Sequence, residues 1–588
     1  MNRPLLRVAV IAGLLSGLIA APAAAPQRQL LLPGVTYERQ VVFGSHGPVV
    51  SHILTIPRPG GLYGLRPVLA TGLVQGRETV SSMEKRVSGA ATVAGVNGDL
   101  FNWTDGHPTG IVIQDGVLWH RPSADRSSIG IDASGTLRVD RLAMFSTWQG
   151  SGQRRTLSAI NEPPAPNAVA LYTPAWGSAT PTQPGSYEVV LSPFAPALPN
   201  NSELPGVVVG LNQNGNTPIP AGGAVLVARG TQAEKLAAEA PVGGSAAVRL
   251  LLEPDWTSVL QAIGGGPVIV RDGKVVFRAN ELFSPDQLLP RDPRTAIGQR
   301  ADGKIVMFVV DGRQPGYSVG LTNFELGLAM QRLGCVTASA LDSGGSSTMA
   351  FDGQLLNQPS DGSERAVKEA LLVFYTGVYA PSPSQPVVSP NRDGIAERQA
   401  LLYKIVRPSI VTAQLVGPDG KAYYTDSGQR APGVYRVMWP APSGGPPLQG
   451  RWQWVVQAQD DQSQRSSVDR GFTVNNTLGF LRPTPPALAV PRVQPRSVAT
   501  VSVARTATIL AWIESAVGAP IVNIASGRVG AGSLELRWDG RNHSGSAVYP
   551  GRYVLKVAAN NAYGRVELET RITVIKVKAK PVPKKKSS

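Results

Sequence analysis

Short apolar runs, either continuous or alternating with polar residues, recur along most of the chain, and turn sequences end them. Two such runs surround Asp-Gly pairs, in residues 110–118 and 268–276, and an Ala-Asp-Gly-Lys turn at 301–304 separates a further pair. Asp-Gly favours the positive φ angles that tight hairpin turns need. The pattern therefore predicts three β-hairpins.

Helical signals are few. Residues 78–86 predict a short helix in which Thr79 or Ser81 is the N-cap residue. Residues 322–334 begin with Thr-x-x-Glu, a capping box, and end in glycine, so they predict a second helix that leads into an apolar strand. One stripe of this second helix carries Phe324, Leu328 and Gln331.

The order of these elements predicts an α+β protein dominated by β-strands. Residues 35–379 form one large mixed unit, and residues 147–254, rich in Pro, Asn and Gly, form a β-rich elaboration inside it. Residues 380–387 are a linker by composition. Beyond it, residues 388–476 and 495–576 are predicted to be two immunoglobulin-like β-sandwich domains.

The two C-terminal segments share a pattern that indicates copies of one module. In each, a glycine stands six residues before a tryptophan, Trp439 or Trp538, and Gly-Arg-aromatic then opens an alternating strand. The tryptophans are expected to pack between two sheets. Residues 538–545, Trp-Asp-Gly-Arg-Asn-His-Ser-Gly, resemble the immunoglobulin-like domain of flagellar hook-capping proteins. Both modules are interpreted as spacers or adhesive units.

Composition supports a folded, β-rich chain. The 588 residues include 64 glycines and 50 prolines, which suits many short strands joined by turns. An apolar content of 42% supplies several cores, and a charged content of only 16% argues against wholesale disorder.

The N-terminus predicts export. Two arginines precede an apolar run at residues 8–21, and small residues up to Ala25 offer cleavage sites. This order is typical of a secretory signal peptide, which we assign to residues 1–25. The alternative is an uncleaved membrane anchor, although the run is short for a span. No other run is long enough to cross a bilayer, so the protein is expected to be secreted, periplasmic or attached to the cell envelope.

Cysteine content and charge narrow the classes of function. Cys335 is the only cysteine, so no intramolecular disulfide forms, and its apolar surroundings favour a buried side chain over a catalytic thiol. Part of the net charge of +16 lies in a Lys-rich tail at 577–588, which is predicted to be disordered. The tail either attracts an anionic envelope polymer or is merely solvated. No nucleic-acid-binding module is recognised.

The most informative stretch for chemistry is Ala-Leu-Asp-Ser-Gly-Gly-Ser-Ser-Thr-Met at residues 340–349. A carboxylate ends an apolar run, two glycines follow, and hydroxyl groups lead into the next apolar segment. Such a loop directs backbone N–H groups, hydroxyls and one carboxylate at a small polar ligand.

Four other motifs precede this one in a fixed order. They are Gly-Val-Asn-Gly-Asp-Leu-Phe at 95–101, Gly-Gly-Gly-Pro at 264–267, Arg-Thr-Ala-Ile-Gly at 294–298 and Val-Val-Asp-Gly at 309–312. Together the five motifs resemble the bacterial phosphodiester glycosidase family, whose animal relative is the lysosomal uncovering enzyme that removes N-acetylglucosamine from a phosphodiester. The resemblance covers most of the residues before Tyr379. It implies cleavage of a glycan or sugar-phosphate substrate at a sugar-1-phosphodiester bond, releasing a phosphomonoester.

The catalytic candidates are the carboxylates of Asp342, Asp99, Asp311 and Glu325, since glycosidic cleavage needs a carboxylate at the oxocarbenium-like centre. Each also has a structural interpretation. Asp342 would cap the N–H groups of its own loop, Asp99 would form an Asx-turn, and Asp311 would be a turn residue. For Glu325 the capping box is the better single interpretation.

The substrate-binding candidates are Asn97, Arg294, His107, Gly265, Gly266, Gly344, Gly345, Ser346 and Ser347. Arg294 is the preferred phosphate ligand because a guanidinium fork matches phosphate, with a structural salt bridge as the alternative. The glycines would either let backbone amides approach an anion or simply permit turns. His107 lies in a loop and is expected to contact substrate or solvent.

Other chemistries fit the sequence less well. The residues around Ser346 do not form Gly-x-Ser-x-Gly, and residues 264–266 lack the Lys-Ser/Thr of a P-loop. No His/Cys/Asp cluster has metal-ligand spacing, and residues 391–394 resemble a calcium loop only slightly because Arg392 is basic. No metal and no cofactor are expected.

Two functions remain open at this point. The first is a phosphodiester glycosidase, and the second is a non-catalytic glycan-binding envelope protein. Four charged residues at strand ends, Asp99, Arg294, Asp311 and Asp342, favour the enzyme. The sequence departs from the family pattern at Ser343, where a third glycine is usual, and at Ala340, where asparagine is common.

Overall fold

The structure is a computed structural model that describes residues 27–276, 279–440, 446–484, 487–490 and 494–576. The predicted signal peptide at 1–25 and the Lys-rich tail at 577–588 lie outside these residues. The described chain is rich in β-strands, as predicted. None of its helices combines the length and the apolar character that crossing a bilayer would require.

An eight-stranded antiparallel sheet forms the centre of the N-terminal part. Across the sheet its strands are Gln27–Leu32, Val35–Gly44, Gly47–Ile56, Ile305–Val310, Arg294–Arg300, Cys335–Ala340, Val268–Arg271 and Lys274–Val275. Arg294 pairs with Val310, and Ala296 pairs with Ala340. Three of the five motifs, at 294–298, 309–312 and 340–349, therefore meet at one end of adjacent central strands of this sheet.

Two five-stranded sheets pack beside it. The first contains Gln354–Leu355, Met349–Phe351, Thr92–Asn97, Glu369–Tyr375 and Tyr63–Leu69. The second contains Val117–His120, Val112–Gln114, Val259–Gly264, Ser127–Asp132 and Leu137–Arg141. One apolar core joins all three sheets, and its members include Leu54, Val96, Ile129, Ile263 and Ile297. The predicted hairpins at 110–118, 268–276 and 301–304 are confirmed.

Four α-helices are present in the described residues: α1 (Val80–Val87), α2 (Thr231–Glu239), α3 (Pro285–Leu288) and α4 (Asn323–Arg332). Two 3-10 turns cover Ala70–Gly72 and Gly344–Ser346. The two predicted helices are confirmed. The Thr79 hydroxyl caps α1 by accepting from the Ser82 N–H, and Thr322 with Glu325 forms the capping box of α4.

The predicted apolar stripe of α4 is wrong. The helix buries Leu326, Gly327 and Met330, whereas Phe324 is 44% exposed. A Cβ atom at Gly327 would lie 3.0 Å from the carbonyl oxygen of Ile269. The glycine therefore lets α4 approach the sheet closely and sets which face is buried.

A nine-stranded sheet lies between residues 143 and 253. Its strands are Arg155–Leu157, Ser146–Gln149, Ser245–Glu253, Asn200–Gln213, Ser186–Phe194, Ala224–Arg229, Val169–Tyr172 and Ala159–Ile160, with Ala143–Met144 paired to Ser245–Glu253. Helix α2 packs on this sheet, and Trp148 is buried in its core. The sheet coincides in sequence with the elaboration predicted for 147–254.

Residues 387–474 form two facing sheets. One has the strands Val387–Val388, Arg465–Val474, Gly450–Asp460, Ser409–Val416 and Ala422–Arg430. The other pairs Gln399–Ile405 with Gly433–Trp439. Trp439 packs against the shared core, with its ring 4.5 Å from that of Trp452.

A second pair of sheets follows in the same manner. Three strands, Leu478–Pro483, Arg496–Val503 and Gly532–Trp538, face five others, Ala487–Val490, Gly564–Lys576, Gly551–Asn561, Ala507–Ser515 and Pro520–Val529. Trp538 is buried in the core between them. In both units the Gly-Arg-aromatic sequence opens a strand, as predicted. The immunoglobulin-like type of these units and the division into domains stay predictions.

Buried polar contacts join the first C-terminal pair of sheets to the N-terminal part. Arg470 donates to the Ala380 carbonyl at 2.7 Å and to the Leu31 carbonyl at 3.2 Å. Arg470 is only 9% exposed, and burial lowers the pKa of its guanidinium. The Val378 N–H donates to the Ser466 hydroxyl at 2.9 Å nearby.

Replacing Arg470 should therefore weaken this junction. We expect Arg470→Ala to lower the thermal unfolding midpoint by about 5 °C, because a buried donor shared by two parts of the chain is lost. Arg436→Ala, at an exposed position of the Gly433–Trp439 strand, serves as control and should shift the midpoint by about 1 °C or less. Equal shifts in the two variants would contradict a structural role for the junction.

Candidate active site

Asp342 lies where the strand Cys335–Ala340 ends and the motif loop begins. The Ser343 N–H donates to Asp342 Oδ1 at 2.8 Å, and the Asp342 N–H donates to the Gly98 carbonyl at 3.1 Å. The side chain is half-buried and borders a cavity of about 90 Å³. The cavity is also lined by Leu100, Gly266, Pro267, Phe283, Gln287, Leu288, Arg294, Asn323, Ala340, Leu341 and Ser343.

The environment of Asp342 raises the pKa of its carboxyl group to about 6. Burial is the main cause, and the negative charge of Asp99 adds to it. The Ser346 hydroxyl, the Ser343 N–H and Arg365 oppose the shift by stabilising the carboxylate. A carboxyl group that titrates near neutrality in a cavity is typical of acid–base or nucleophilic sites.

Asp99 lies behind Asp342 and does not face the cavity. It is 3% exposed and forms a bidentate ion pair with Arg126, at 2.9 Å from Nη1 to Oδ1 and 3.1 Å from Nη2 to Oδ2. Gly110 and Gly264 pack against its Oδ2 so closely that neither position has room for a Cβ atom. Asp99 thus acts on the cavity through its charge.

Glu369 is a third carboxyl residue in this region, beside the buried Asp99 and the half-buried Asp342, and it was not among the predicted candidates. Its Oε1 accepts from the Asp99 N–H at 3.3 Å, and the residue is 1% exposed. Burial and the charge of Asp99 raise the pKa of the Glu369 carboxyl group. The adjacent Lys368 donates to the Leu73 carbonyl at 2.6 Å, and burial lowers the pKa of its ammonium group.

Asn97, predicted to bind substrate, is a buried structural residue instead. Its Oδ1 accepts from the Thr295 hydroxyl at 2.8 Å and from the Thr348 N–H at 3.0 Å. Its Nδ2 donates to the Asp342 carbonyl at 3.0 Å and to the Gly98 carbonyl at 3.2 Å. All of its hydrogen-bonding capacity is used inside the protein, so Asn97 positions the loop that carries Asp342.

The carboxylate of Asp311 likewise accepts its hydrogen bonds from groups in the protein interior. Asp311 does not line the cavity. It accepts from His52 Nε2 at 2.9 Å, Tyr317 Oη at 3.0 Å, Asn357 Nδ2 at 3.0 Å and the Gln358 N–H at 3.1 Å. A buried carboxylate with four hydrogen-bond donors typically has a structural role. The geometry does not support the catalytic role that was predicted for Asp311.

Asn357 connects Asp311 to the motif loop. It donates to the Ser347 carbonyl at 3.1 Å and accepts from the Met349 N–H at 2.8 Å. Ser346 and Ser347 are both buried, and the Ser347 hydroxyl makes no hydrogen bond among the described residues. The Ser346 hydroxyl lies 3.5 Å from Arg365 Nη1. Of these two serines, Ser346 therefore contacts the charged groups beside Asp342.

Glu325 caps α4, as its structural interpretation predicted. It accepts from the Thr322 N–H at 2.9 Å and pairs with Arg291. Burial would raise the pKa of its carboxyl group, but the bonds from Thr322 and the charge of Arg291 outweigh that effect and lower it. Glu325 does not line the Asp342 cavity.

Arg294 borders the cavity, but its guanidinium is already committed. It donates to the carbonyl oxygens of Leu321 at 3.1 Å, Gln287 at 2.6 Å, Pro290 at 2.8 Å and Leu288 at 3.5 Å. Burial lowers the pKa of this side chain. Arg294 was predicted to be the phosphate ligand. In the structure its guanidinium binds backbone carbonyl groups at and just after the end of α3, together with that of Leu321.

Gly265, Gly266 and His107 also make their polar contacts with other groups of the protein. The Gly265 N–H donates to the Ser127 carbonyl at 3.0 Å and the Gly266 N–H to the Ala340 carbonyl at 2.9 Å. His107 Nδ1 lies 2.6 Å from Asp105 Oδ1 in the loop before the cavity. Of these three residues, only Gly266 lines the cavity beside Asp342.

Gly344 and Gly345 do lie beside Asp342, and two arginines flank them. A Cβ atom at Gly344, whose φ is 65°, would lie 3.1 Å from Arg313 Nη1. A Cβ atom at Gly345 would overlap the guanidinium of Arg365. Arg313 pairs with Asp292 at 2.7 Å, and Arg365 pairs with Asp361 at 2.6 Å. Neither Arg313 nor Arg365 was among the predicted site residues.

An exposed aromatic ring, that of Trp103, lies next to Arg365. Trp103 is 60% exposed, and the guanidinium carbons of Arg365 and Arg77 lie 5.4 Å and 5.6 Å from its ring centroid. Such contacts orient a guanidinium plane and hold it in place. Arg365 is therefore fixed from two sides, by Asp361 and by Trp103.

The missed residues had only weak signals in the sequence. Lys368 and Glu369 are two adjacent charged residues at the head of an apolar run, and Asp361 to Arg365 is a charged segment shortly before it. A charged pair that opens a buried strand is a signal of a buried site. Arg126 and Arg313 had no comparable signal. Among the described residues, no cluster of three His, Cys, Asp or Glu side chains is placed to hold a metal ion.

Comparison with known proteins confirms the predicted family for part of the chain. Residues 204–374 match the family model described as phosphodiester glycosidase. The matched segment contains Asp311, Asp342, Arg365 and Glu369. The SPbeta prophage-derived uncharacterized protein YomE of Bacillus subtilis is 40% identical over 107 residues, which are 18% of this chain and 16% of YomE. The chain thus matches about one sixth of that curated relative.

Two solved structures are similar to the chain. A hypothetical protein from Synechocystis gives a TM-score of 0.50 at 27% identity, covering 60% of this chain and 64% of that one. The catalytic domain of zebrafish N-acetylglucosamine-1-phosphodiester alpha-N-acetylglucosaminidase gives a TM-score of 0.33 at 17% identity, covering 59% of this chain and 84% of that one.

The raised pKa of Asp342 predicts a pH-dependent cost to stability. Because the folded pKa is about 6 against an ordinary 3.8, the native state holds the proton more tightly than the unfolded chain. Stability from this group is complete below pH 4 and is lost as the pH rises through 6. Asp342→Asn should therefore stabilise the protein at pH 7, by about 1–2 kcal/mol, and change little at pH 4.

Urea unfolding at the two pH values measures this effect. Asp125→Asn is the control, since its exposed carboxylate changes the net charge equally without a buried environment. A gain for Asp342→Asn that is the same at pH 4 and pH 7 would contradict the raised pKa.

Proposed function

We propose that this protein is an exported glycosidase that hydrolyses sugar-1-phosphodiester bonds with Asp342 as its reactive carboxylate. The observation that carries the proposal is the position of Asp342, which borders the cavity with a pKa near 6 inside the segment that matches the phosphodiester glycosidase family. The guanidinium groups of Arg313 and Arg365 lie next to the same loop.

The chemistry suits a single reactive carboxylate. When the bond between the anomeric carbon and the phosphate oxygen breaks, its electron pair leaves with the phosphate, and water finally supplies a hydroxyl to the anomeric carbon. The departing phosphomonoester is a weak base with a second pKa of about 6, so it needs little help from a general acid. Ionised Asp342 then stabilises or attacks the oxocarbenium-like centre.

The buried carboxyl groups tune Asp342. Asp99 is held in place by the bidentate pair with Arg126, and Glu369 accepts a hydrogen bond from the Asp99 N–H. Burial of Asp342 and the negative charge of Asp99 raise its pKa, which makes its carboxylate a better base and nucleophile than an exposed one. Asp99 and Arg126 serve as positioning and electrostatic residues in this proposal.

The setting of the reaction follows from the sequence. The signal-like segment at 1–25 supports export, and a glycan of the envelope or the surroundings is the proposed substrate. The two C-terminal pairs of sheets are proposed spacers, with the Lys-rich tail as a contact for an anionic envelope polymer. The alternative function is a non-catalytic glycan-binding protein. Hydrolysis of sugar-1-phosphate diesters distinguishes the two functions.

Hydrolysis of a panel of sugar-1-phosphate diesters by the chain without residues 1–25 tests the proposal. We expect turnover on at least one diester and a loss of about 10³-fold in kcat for Asp342→Asn. Asp426→Asn, in the first C-terminal unit, is a control that should retain activity. No turnover on any diester, with glycan binding intact, would establish the non-catalytic alternative.

The pH profile gives a second test of the role of Asp342. Because the ionised form is the reactive one, kcat/KM should rise about tenfold per pH unit below pH 6 and level off above it. A profile that falls as the pH rises through 6 would mean that Asp342 works as a proton donor and would contradict this role.

A further inference from the structure

We infer that Arg313 and Arg365 together bind the phosphate group of the substrate, on the side of Asp342 formed by Gly344 and Gly345. The inference rests on the proposed function, because it assigns the phosphate to one side of the proposed reactive carboxylate. It replaces Arg294, the residue that the sequence suggested for this task.

The two guanidinium groups approach the same dipeptide. A Cβ atom placed on Gly344 would lie 3.1 Å from Arg313 Nη1 and 3.2 Å from its Nη2. A Cβ atom on Gly345 would overlap the guanidinium of Arg365 and the carboxylate of its partner Asp361. Asp361, the ionic partner of Arg365, also acts through its charge on Arg313, and the charge of Arg365 acts on Asp342. Both guanidinium groups therefore lie close to the start of the motif loop. Side chains on these glycines would push both arginines away.

Hydrogen-bonding capacity remains on Arg313. Its Nε donates to Asp292 at 2.7 Å, whereas within the part of the chain that the structure describes its Nη1 and Nη2 donate to no acceptor. The side chain is 48% exposed. These terminal groups, which are the ones nearest Gly344, are thus available to phosphate oxygens.

Arg365 is positioned more firmly. Its Nε and Nη2 donate to Asp361 at 2.9 Å and 2.6 Å, and Nη1 faces the Ser346 hydroxyl at 3.5 Å. That last distance is at the limit of a hydrogen bond, so an oxygen of the substrate would compete well for Nη1. The side chain is 26% exposed and packs on Trp103.

The other arginines near the cavity are excluded by their own bonds. Arg294 donates to four backbone carbonyls, and Arg126 donates to both oxygens of Asp99 and to the Thr109 hydroxyl at 2.8 Å. Both side chains are buried. Recruiting either one for phosphate would leave buried acceptors without a donor, which costs more than the new bond returns.

Two guanidinium groups suit the change of charge in the reaction. The phosphodiester carries one negative charge, and the departing phosphomonoester approaches two, so a pair of cations stabilises the leaving group more than the bound substrate. Arg313 and Arg365 would therefore act on kcat as well as on KM.

Binding of inorganic phosphate to the chain without residues 1–25 tests this inference by calorimetry at low salt. We expect Arg313→Ala and Arg365→Ala each to weaken phosphate binding about tenfold or more. Arg365→Lys retains the positive charge and the aliphatic part of the side chain but lacks the guanidinium. It replaces Arg365→Ala in the test if the alanine variant unfolds. Thermal unfolding confirms that each variant is folded.

Arg430→Ala is a matched control for Arg365→Ala. Arg430 pairs with Asp426 at the same spacing of four residues and the same distance of 2.6 Å, with side-chain exposures of 25% and 37% against 26% and 37% for Arg365 and Asp361. It also lies over an aromatic ring, that of Tyr435. Phosphate binding should be unchanged in this variant.

The outcomes separate the inference from the proposed function. Phosphate binding that is lost in both arginine variants but kept in Asp342→Asn supports the inference, whether or not any diester is hydrolysed. Turnover that depends on Asp342, combined with wild-type phosphate affinity in the Arg313/Arg365 double variant, would overturn it. Loss of phosphate binding in Arg294→Lys alone would also overturn it and return the phosphate to Arg294.

Discussion

The candidate site depends on one buried amide, that of Asn97. Its four hydrogen bonds reach Thr295, Thr348, Gly98 and the backbone of Asp342, so three separate motif loops are fixed by a single side chain. An unsatisfied amide at this depth would cost several kcal/mol, and no partner can move alone. The position of Asp342 is therefore a consequence of how two sheets meet at Asn97. Asp311 adds a second brace to the same loop through Asn357.

The second constraint is the accumulation of negative charge next to that amide. Asp342, Asp99 and Glu369 lie within one buried region, and only Asp99 has a full ionic partner, Arg126. The other two respond by holding their protons more tightly, as their raised pKa values show. Carboxyl groups without an ionic partner in such a region lower the stability of the fold. Proteins retain them mainly at functional sites, where a perturbed pKa serves the chemistry. The same pattern is absent from the buried carboxylate of Asp311, which has four donors.

Local signals predicted the elements well and the site only in part. Hairpins with Asp-Gly turns and the capping box of α4 depend on neighbouring residues, so the sequence shows them directly. The roles of Asn97, Arg294 and Asp311 depend on which side of a sheet each residue faces, and a strand end is compatible with either side. Glu369 contacts Asp99 across 270 positions of the chain, and Arg126 reaches Asp99 from another sheet. The local sequence patterns around Glu369 and Arg126 do not indicate these contacts with Asp99.

The glycines of the motif loop show how a correct motif can suggest the wrong contact. Glycine next to a carboxylate suggests backbone amides that approach an anion. Here the space next to Gly344 and Gly345 is filled by the guanidinium groups of Arg313 and Arg365 and by the Asp361 carboxylate. The two departures from the family pattern, Ala340 and Ser343, both line the cavity that borders Asp342, whereas Gly344 and Gly345 do not. If the arginines hold the phosphate, the cavity is left for the sugar. Variation at positions 340 and 343 then changes which sugar fits, while the charges that recognise the phosphate stay in place.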